Sequence, residues 1–290
     1  MSQTHYDWED EIGRKIGLEG ISIIGLMVGE HLHPPMINDR RIWENGENWR
    51  LGAEKCIKRL AKKAKIKAGW KILDIGCGVG GPSRLLANEY KCNVIGTNVI
   101  GTNFSWKQLR TAKRITIEAG LEDKVTYVMS NAELLPFTSS IFDVIWTFNM
   151  FYHIVNKKRA ISEFNRVLKN DGILAFDDWV ITEEISDGEH ALLKHDWSSA
   201  DWITDRKLFA MLGDNGFKIK WIEDYSRVGR VMMKRYFSDV FENYFRPKII
   251  SLDAKWGESI ADHFKNAIER TIYFYEEGKM RYLQFIAKKK

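Results

Sequence analysis

The chain reads as an α/β protein: a mostly parallel sheet with helices on both faces, an antiparallel last strand and a helical cap. Three observations predict this. Short apolar runs alternate with helical stretches from Lys71 to Phe176, the pattern of repeated strand–helix–strand units. One of these runs, Lys71–Ile75, ends in Gly76, Gly78, Gly80 and Gly81 and passes at once into a helical segment, Ser83–Tyr90. That is the order in which open α/β sheets hold nucleotides, because glycines let the backbone approach a ligand without a Cβ in the way. The chain then closes on Arg281–Ala287, which reads as the antiparallel strand.

Taken in order, Asp7 to about Val28 has helical apolar spacing (Ile12, Ile16, Ile21, Ile23, Ile24) and stops at the prolines Pro34-Pro35, which no helix continues through. Asn48–Ala64 is a second amphipathic helix. After Lys71–Ile75 come a strand at Asn93–Gly96, a helix from Trp106 to Ala119, and strands at Val125–Met129 and Phe142–Thr147. The helix Lys157–Leu168 precedes a fifth strand, Gly172–Phe176. Beyond Trp179 the pattern changes to a polar, Trp-bearing stretch, a helix at Arg206–Asn215, a strand at Phe217–Asp224 and long helices at Arg230–Phe245 and Ser259–Tyr275. Three segments follow from this: residues 1–68, a helical part of the cap; 69–180, the nucleotide-binding core; and 181–290, the cap insertion with the closing strands. Val94-Ile-Gly-Thr-Asn98 is repeated directly as Val99-Ile-Gly-Thr-Asn103. Five residues are far too few for a solenoid repeat, so the second copy is expected to lengthen the loop after the second strand.

With 290 residues, 44% hydrophobic and 29% charged, the composition is that of a globular protein. No apolar run reaches the roughly 18 residues of a membrane span, and Met1–Asp10 is polar and acidic, unlike a secretory signal. Cys56, Cys77 and Cys92 are odd in number and lack metal-type spacing. A cytoplasmic protein with no integral membrane association and no metal is expected. The formal net charge is +5, but the basic residues are scattered, and short clusters such as Lys62-Lys63 read as a solvated helix face, so no nucleic-acid partner is expected.

The acid preceding the glycines, as D-x-G-x-G-x-G from Asp74 to Gly80, resembles the first motif of class I S-adenosylmethionine (SAM) dependent methyltransferases more than the G-x-G-x-x-G of hydride-transfer enzymes. Asn131-Ala-Glu-Leu-Leu-Pro-Phe137 resembles the family's D-A-x-x-L-P-F, Phe142–His153 its fourth strand and active-site loop, and Arg166-Val-Leu-Lys-Asn-Asp-Gly172 its R-V-L-K-x-G-G turn. The segments Gly29-Glu-His-Leu-His33 and Gly278–Lys288 are similar, more loosely, to a small-molecule subgroup that includes sarcosine/dimethylglycine N-methyltransferases and tocopherol- and terpenoid-type C-methyltransferases. The resemblance implies a Rossmann-like methyltransferase sheet and SAM as cofactor. It places Asp74, Gly76 and Gly78 at the methionine part, Asn98 or Asn103 with Gln108 at the ribose, Asn131 and Ala132 at the adenine, and Asn149 among the residues that bind the cofactor. Amides stand where the family usually has acids at positions 98, 131 and 149, yet an amide can still hydrogen-bond an uncharged adenosine.

His153 and Asp178 are the candidate catalytic residues, since both fall where substrate would meet the methyl group. Of the neighbours Asp177 and Asp178, one is expected to hold the loop and the other to face the substrate. His33, Trp43, Tyr152, Trp179, Trp197 and Trp202 are candidates for a substrate pocket. The chain has 11 tryptophans, and aromatic walls bind amines by cation–π contact or enclose apolar groups by burial. The implied activity is methyl transfer to a small molecule, with amine nitrogen or carbon favoured over oxygen and oligomeric state left open. A catalytically silent SAM-binding scaffold and a small-molecule O-methyltransferase are the competing readings. A nucleic-acid methyltransferase is disfavoured because Asn149-Met-Phe-Tyr152 lacks the prolines of the [ND]-P-P-[YF] loop.

Overall fold

A computed structural model of the chain describes residues 54–99, 106–197, 201–235, 242–243, 246 and 260–290. The expected helix over residues 7–28 lies outside these residues. A helix over residues 54–63 (α1) leads to β1 (Lys71–Ile75), α2 (Gly81–Tyr90), β2 (Asn93–Val99), α3 (Trp106–Glu118), β3 (Val125–Ser130) and β4 (Phe142–Phe148). A single 3-10 turn, Phe151–His153, precedes α4 (Lys157–Val167) and the long β5 (Leu168–Ile181). Then come α5 (Asp187–Asp196), α6 (Asp205–Asp214), β6 (Phe217–Asp224), α7 (Ser226–Arg235), α8 (Ile260–Glu276) and β7 (Met280–Lys289).

The seven strands form one sheet in the order β3-β2-β1-β4-β5-β7-β6. β1 to β5 pair in parallel, and β7 runs antiparallel between β5 and β6. The strand order reverses between β1 and β4, and the crevice outside the carboxyl ends of strands at such a point is where open α/β sheets bind ligands. Both faces are covered. Ile72, Val144 and Trp146 pack with Ile57, Leu60 and Leu86 on the α1–α2 face, while Leu73, Ile145 and Phe176 pack with Ile161, Phe164 and Leu208 on the α4–α6 face. Central strands buried on two sides need apolar residues at both parities, which is why they read as continuous apolar runs.

β5, β2 and β7 run longer than the sequence suggests, β7 spanning Met280–Lys289. β5 continues past Phe176 because β7 pairs with it residue by residue from Ile173↔Lys288 to Ile181↔Met280, so Asp177 and Asp178 lie inside the strand and do not end it. β2 contains the whole first copy of the repeat, with Asn98 opposite Met129. Val99, the first residue of the second copy, ends the strand.

Local sequence sets the helix starts. Asn156 caps α4 by accepting from the Arg159 N–H at 3.0 Å. Ser186 and Glu189 form a capping box at α5, and Thr204 caps α6, so each helix satisfies part of its free N–H set. Among the described residues, no helix is long and apolar enough to cross a membrane.

Candidate functional site

The turn after β1 takes the backbone through left-handed φ values at Gly76 (74°), Gly78 (53°) and Gly80 (78°), a region open to glycine and costly for other residues. α2 starts directly on this turn, with Gly80 as N-cap and no side-chain cap; Pro82 brings no N–H to its first turn, the Ser83 N–H bonds Asp74 and the Gly80 N–H donates to the Cys77 carbonyl at 2.7 Å. Tyr127 of β3 braces the turn. A Cβ on Gly80 would lie 2.1 Å from its hydroxyl, and one on Gly96 would lie 2.7 Å from its ring. Arg84 completes the brace, donating from Nη1 to the Val79 carbonyl at 2.6 Å. Asp74 is buried beneath the turn and accepts from the Ser83 hydroxyl at 2.5 Å. Burial pushes its carboxyl up to about 7, partly offset by that hydrogen bond.

Across the switch point, β4 is followed at once by Asn149, which is 1% exposed and has φ 51°. Its N–H donates to the Asp177 carbonyl at 2.8 Å, and its Nδ2 donates to the Tyr282 hydroxyl at 3.2 Å. That hydroxyl in turn donates to Asp177 Oδ1, while Gln284 Nε2 donates to Asp177 Oδ2 at 2.5 Å. Burial raises the Asp177 carboxyl to about 7, against the pull of these two donors. Asn149 Oδ1 is buried without a hydrogen-bond partner.

Asp178 points to the opposite face of β5 and does a different job. One of its oxygens accepts from the Met150 and Phe151 N–H groups at 2.9 and 2.5 Å, and the other accepts from the Trp179 N–H at 2.7 Å. Of the two neighbouring aspartates, Asp178 therefore holds the loop after β4. Its oxygens are taken up by backbone donors, an arrangement for positioning rather than for collecting a substrate proton. His153 closes the 3-10 turn of that loop, its ring tilted against Tyr152 with centroids 4.2 Å apart.

Three of the pocket candidates come together. The Tyr152 and Trp202 rings stack at 4.8 Å with planes 3° apart, and Trp179 lies near-parallel to both at 5.9 and 5.8 Å. One backbone and one side-chain link bring Trp202 there: Asp201 N–H donates to the Tyr152 carbonyl at 3.2 Å, and Lys157 Nζ bridges the Ile154 and Asp201 carbonyls at 2.7 and 2.9 Å. Burial pulls the Lys157 ammonium down to about 8. Trp202 Nε1 is buried and unpartnered. Trp197 stands apart from the stack. It is fully buried, meets Trp179 edge-on at 5.4 Å, and donates from Nε1 to Thr271 Oγ1 of α8 at 3.0 Å, which is a packing role between α5 and α8.

Of the remaining candidates, Asn131 accepts the Glu133 N–H on Oδ1 at 2.8 Å, and Ala132 is buried beside it. Asn98 sits near the carboxyl end of β2, and Gln108 is the third residue of α3. His33, Trp43 and Asn103 lie outside the described residues. Tyr282 and Gln284 were not among the residues singled out from sequence. The signal is there: they are polar residues two apart, with Leu283 between them and the apolar run Phe285–Ala287 after them, and that spacing places both on one face.

Comparison with known proteins agrees with this geometry. Residues 73–176 match the family model described as a methyltransferase domain. The chain is 33% identical over 141 residues to the methyltransferase GfsG of Streptomyces halstedii, covering 49% of each chain. It is 31% identical over 185 residues to a sterol 24-C-methyltransferase of Yarrowia lipolytica, covering 62% of this chain and 47% of that one. It is 32% identical over 143 residues to a glycine/sarcosine/dimethylglycine N-methyltransferase of Actinopolyspora halophila, covering 49% of this chain and 24% of that one. The chain thus spans about half the length of the first curated relatives it matches, or less. Among solved structures, geranyl diphosphate C-methyltransferase of Streptomyces coelicolor superposes with a TM-score of 0.71 at 15% identity, covering 89% of this chain and 88% of that one. The [4+2]-cyclase SpnF superposes at 0.67 and 23% identity, covering 99% of this chain and 94% of that one. One fold thus carries two chemistries, and likeness at this level speaks for the fold alone. Sheet order, glycine turn and family match together place the chain on the class I SAM-dependent methyltransferase fold, with residues 73–176 similar to the methyltransferase-domain family.

Proposed function

We propose that this protein transfers a methyl group from SAM to a small molecule, with an amine nitrogen or a carbon as acceptor. The observation that carries this reading is the pairing, across one switch point, of a left-handed glycine turn at the end of β1 with a buried, unsatisfied amide at the end of β4. The residues fit the cofactor. Gly76 and Gly78 leave room for the methionine part, and Asn98, Asn131 and Ala132 lie at the strand ends where ribose and adenine would rest. When bound, SAM supplies a methyl on a sulfonium, with a good leaving group.

The protein's own task is then positioning, which can contribute up to roughly 7–11 kcal/mol in well-oriented systems. The rings of Tyr152, Trp179 and Trp202 wall the acceptor side, and the loop that carries Tyr152 and His153 is fixed by Asp178. His153 borders the acceptor, and the helical insertion within residues 181–290, with residues 1–68 contributing, supplies the cap that selects it, while β6 and β7 close the sheet. The named relatives act on a sterol carbon and on glycine-type nitrogens, which supports the choice of nitrogen or carbon over oxygen. A small-molecule enzyme of the cytoplasm fits the scattered charge.

The test is incubation with methyl-labelled SAM and a metabolite extract, followed by identification of the labelled product. Label in a small molecule is expected. SAM binding by calorimetry with no labelled product would identify a silent scaffold instead.

A further inference from the structure

Lysines that lie far apart along the chain are gathered by the sheet. β1, β4 and β5 run parallel, β7 runs against β5, and β6 runs against β7. The amino ends of β1, β5 and β6 and the carboxyl end of β7 therefore share one edge, opposite the crevice. Each of these strands brings a lysine there. Lys71 opens β1, Lys169 and Lys218 are the second residues of β5 and β6, and Lys288 of β7 pairs in register with Lys218. Lys220 follows on β6, and Lys63 and Lys67 arrive from the end of α1; of these seven, all but Lys288 are exposed. Asp143 and Asp171 are set among them and pair with Lys169 at 2.7 Å and with Lys288 at 2.8 Å, which leaves the row basic. From β1 to β6 is four interstrand steps, about 19 Å at ~4.8 Å each. Neighbours in such a row stand within a Debye length of roughly 8 Å, so their fields add.

We propose that this lysine edge docks the protein on an anionic lipid bilayer, held by charge and without insertion. The row is lysine alone. A lysine is a hydrated point charge without the fork by which arginine grips a single phosphate, which suits many loosely held headgroups. Each lysine near an anionic leaflet favours binding by a factor of about five. Two tryptophans decide between a bilayer and a nucleic acid. Lys67 Nζ lies over the Trp70 ring at 5.6 Å and Lys63 Nζ over the Trp221 ring at 4.9 Å, while both rings pack against the core of the α1–α2 face. Neither ring offers a bare face on which a base could stack. The same pairs suit a bilayer, where an indole and a lysine stem rest at headgroup level with the ammonium outward. The docked protein keeps its crevice on the far side, toward water. The inference goes beyond the methyl-transfer reading, because it concerns where the protein sits and not what it does to its substrate.

The experiment sediments the full chain with vesicles of phosphatidylcholine carrying about 30% phosphatidylserine, and with phosphatidylcholine alone, at about 0.1 M and about 0.5 M salt. Binding to the anionic vesicles at the lower salt is expected, with little at the higher salt and little to phosphatidylcholine. Changing Lys63, Lys67, Lys218 and Lys220 together to Gln should lower the partition coefficient at least tenfold, at about fivefold for each charge, and leave SAM affinity at the parental value. The same change at Lys113, Lys158, Lys207 and Lys265, which stand on α3, α4, α6 and α8, removes equal net charge and should lower it less than threefold. Should the first variant fold poorly, acetylation of the parent's lysines, read by mass spectrometry, decides the matter. Vesicles should protect Lys67, Lys218 and Lys220 and leave Lys158 and Lys207 reactive. Equal binding to both kinds of vesicle, equal loss in the two variants, or protection of Lys158 and Lys207 in place of the edge would each overturn the proposal. So would a mixed-sequence RNA or DNA duplex that binds the edge as tightly at the same salt, which would make a nucleic acid the partner.

Discussion

Asp177 and Asp178 are adjacent in sequence, but the alternation of a strand sends them to opposite faces of the sheet and so into different work. Asp178 answers three backbone N–H donors. Asp178→Asn would place an NH₂ against some of them, and at about 1–3 kcal/mol for each buried group left unpaired it should cost at least ~2 kcal/mol of stability, read by urea denaturation. Unchanged stability with a large fall in kcat would mark Asp178 as a base after all. Asp177 gives a pH signature. Burial lifts it from 3.8 to about 7, so between those values the folded chain keeps a proton that the unfolded chain has lost. Its contribution to stability is therefore complete below 3.8, falls as pH rises, and is gone above about 7. Melting curves of the parent and Asp177→Asn from pH 4 to 8 should converge or diverge across that window, whereas parallel curves would contradict the shift. Neither role was legible in the sequence, which shows two aspartates at one rim but not which donors each will find.

At the scale of elements, the loop after β4 and the segment around Trp202 are built as one unit. Lys157 Nζ and the Asp201 N–H tie them together, and the ring stack follows. Trp202→Phe should retain most of the stacking, cost no more than about 1 kcal/mol, and impair substrate use more than SAM binding, as steady-state kinetics and calorimetry would show. Trp197→Ala should behave otherwise. It empties a fully buried site and frees Thr271, so a loss of about 3–5 kcal/mol is expected, with SAM binding and substrate use falling together in proportion to folded protein. The two tryptophans look alike in the sequence. Their difference arises from α8, more than 60 residues away in the chain, and no local pattern carries that information.

For the whole molecule, the sheet is the part most fully written in local sequence. Alternating runs, a glycine turn and an antiparallel end are short-range signals, and β1, β3 and β6 fall close to their expected bounds. β5 overran its expected end because pairing with β7 brought a partner from across the chain. The site was half legible. Asp74, Gly76, Gly78 and Asn149 are named by motif and spacing, whereas the spacing of Tyr282 and Gln284 gives only a shared face, and their partner Asp177 enters once β7 is laid beside β5. Everything proposed for function depends on one claim, that SAM binds over the glycine turn at the carboxyl ends of β1, β2 and β4. Calorimetric titration of SAM into the parent and into Gly78→Leu, at matched folded concentration, tests it most directly. One SAM per chain on the parent and none on the variant is the predicted result; equal affinity in both, or none in the parent, would contradict it.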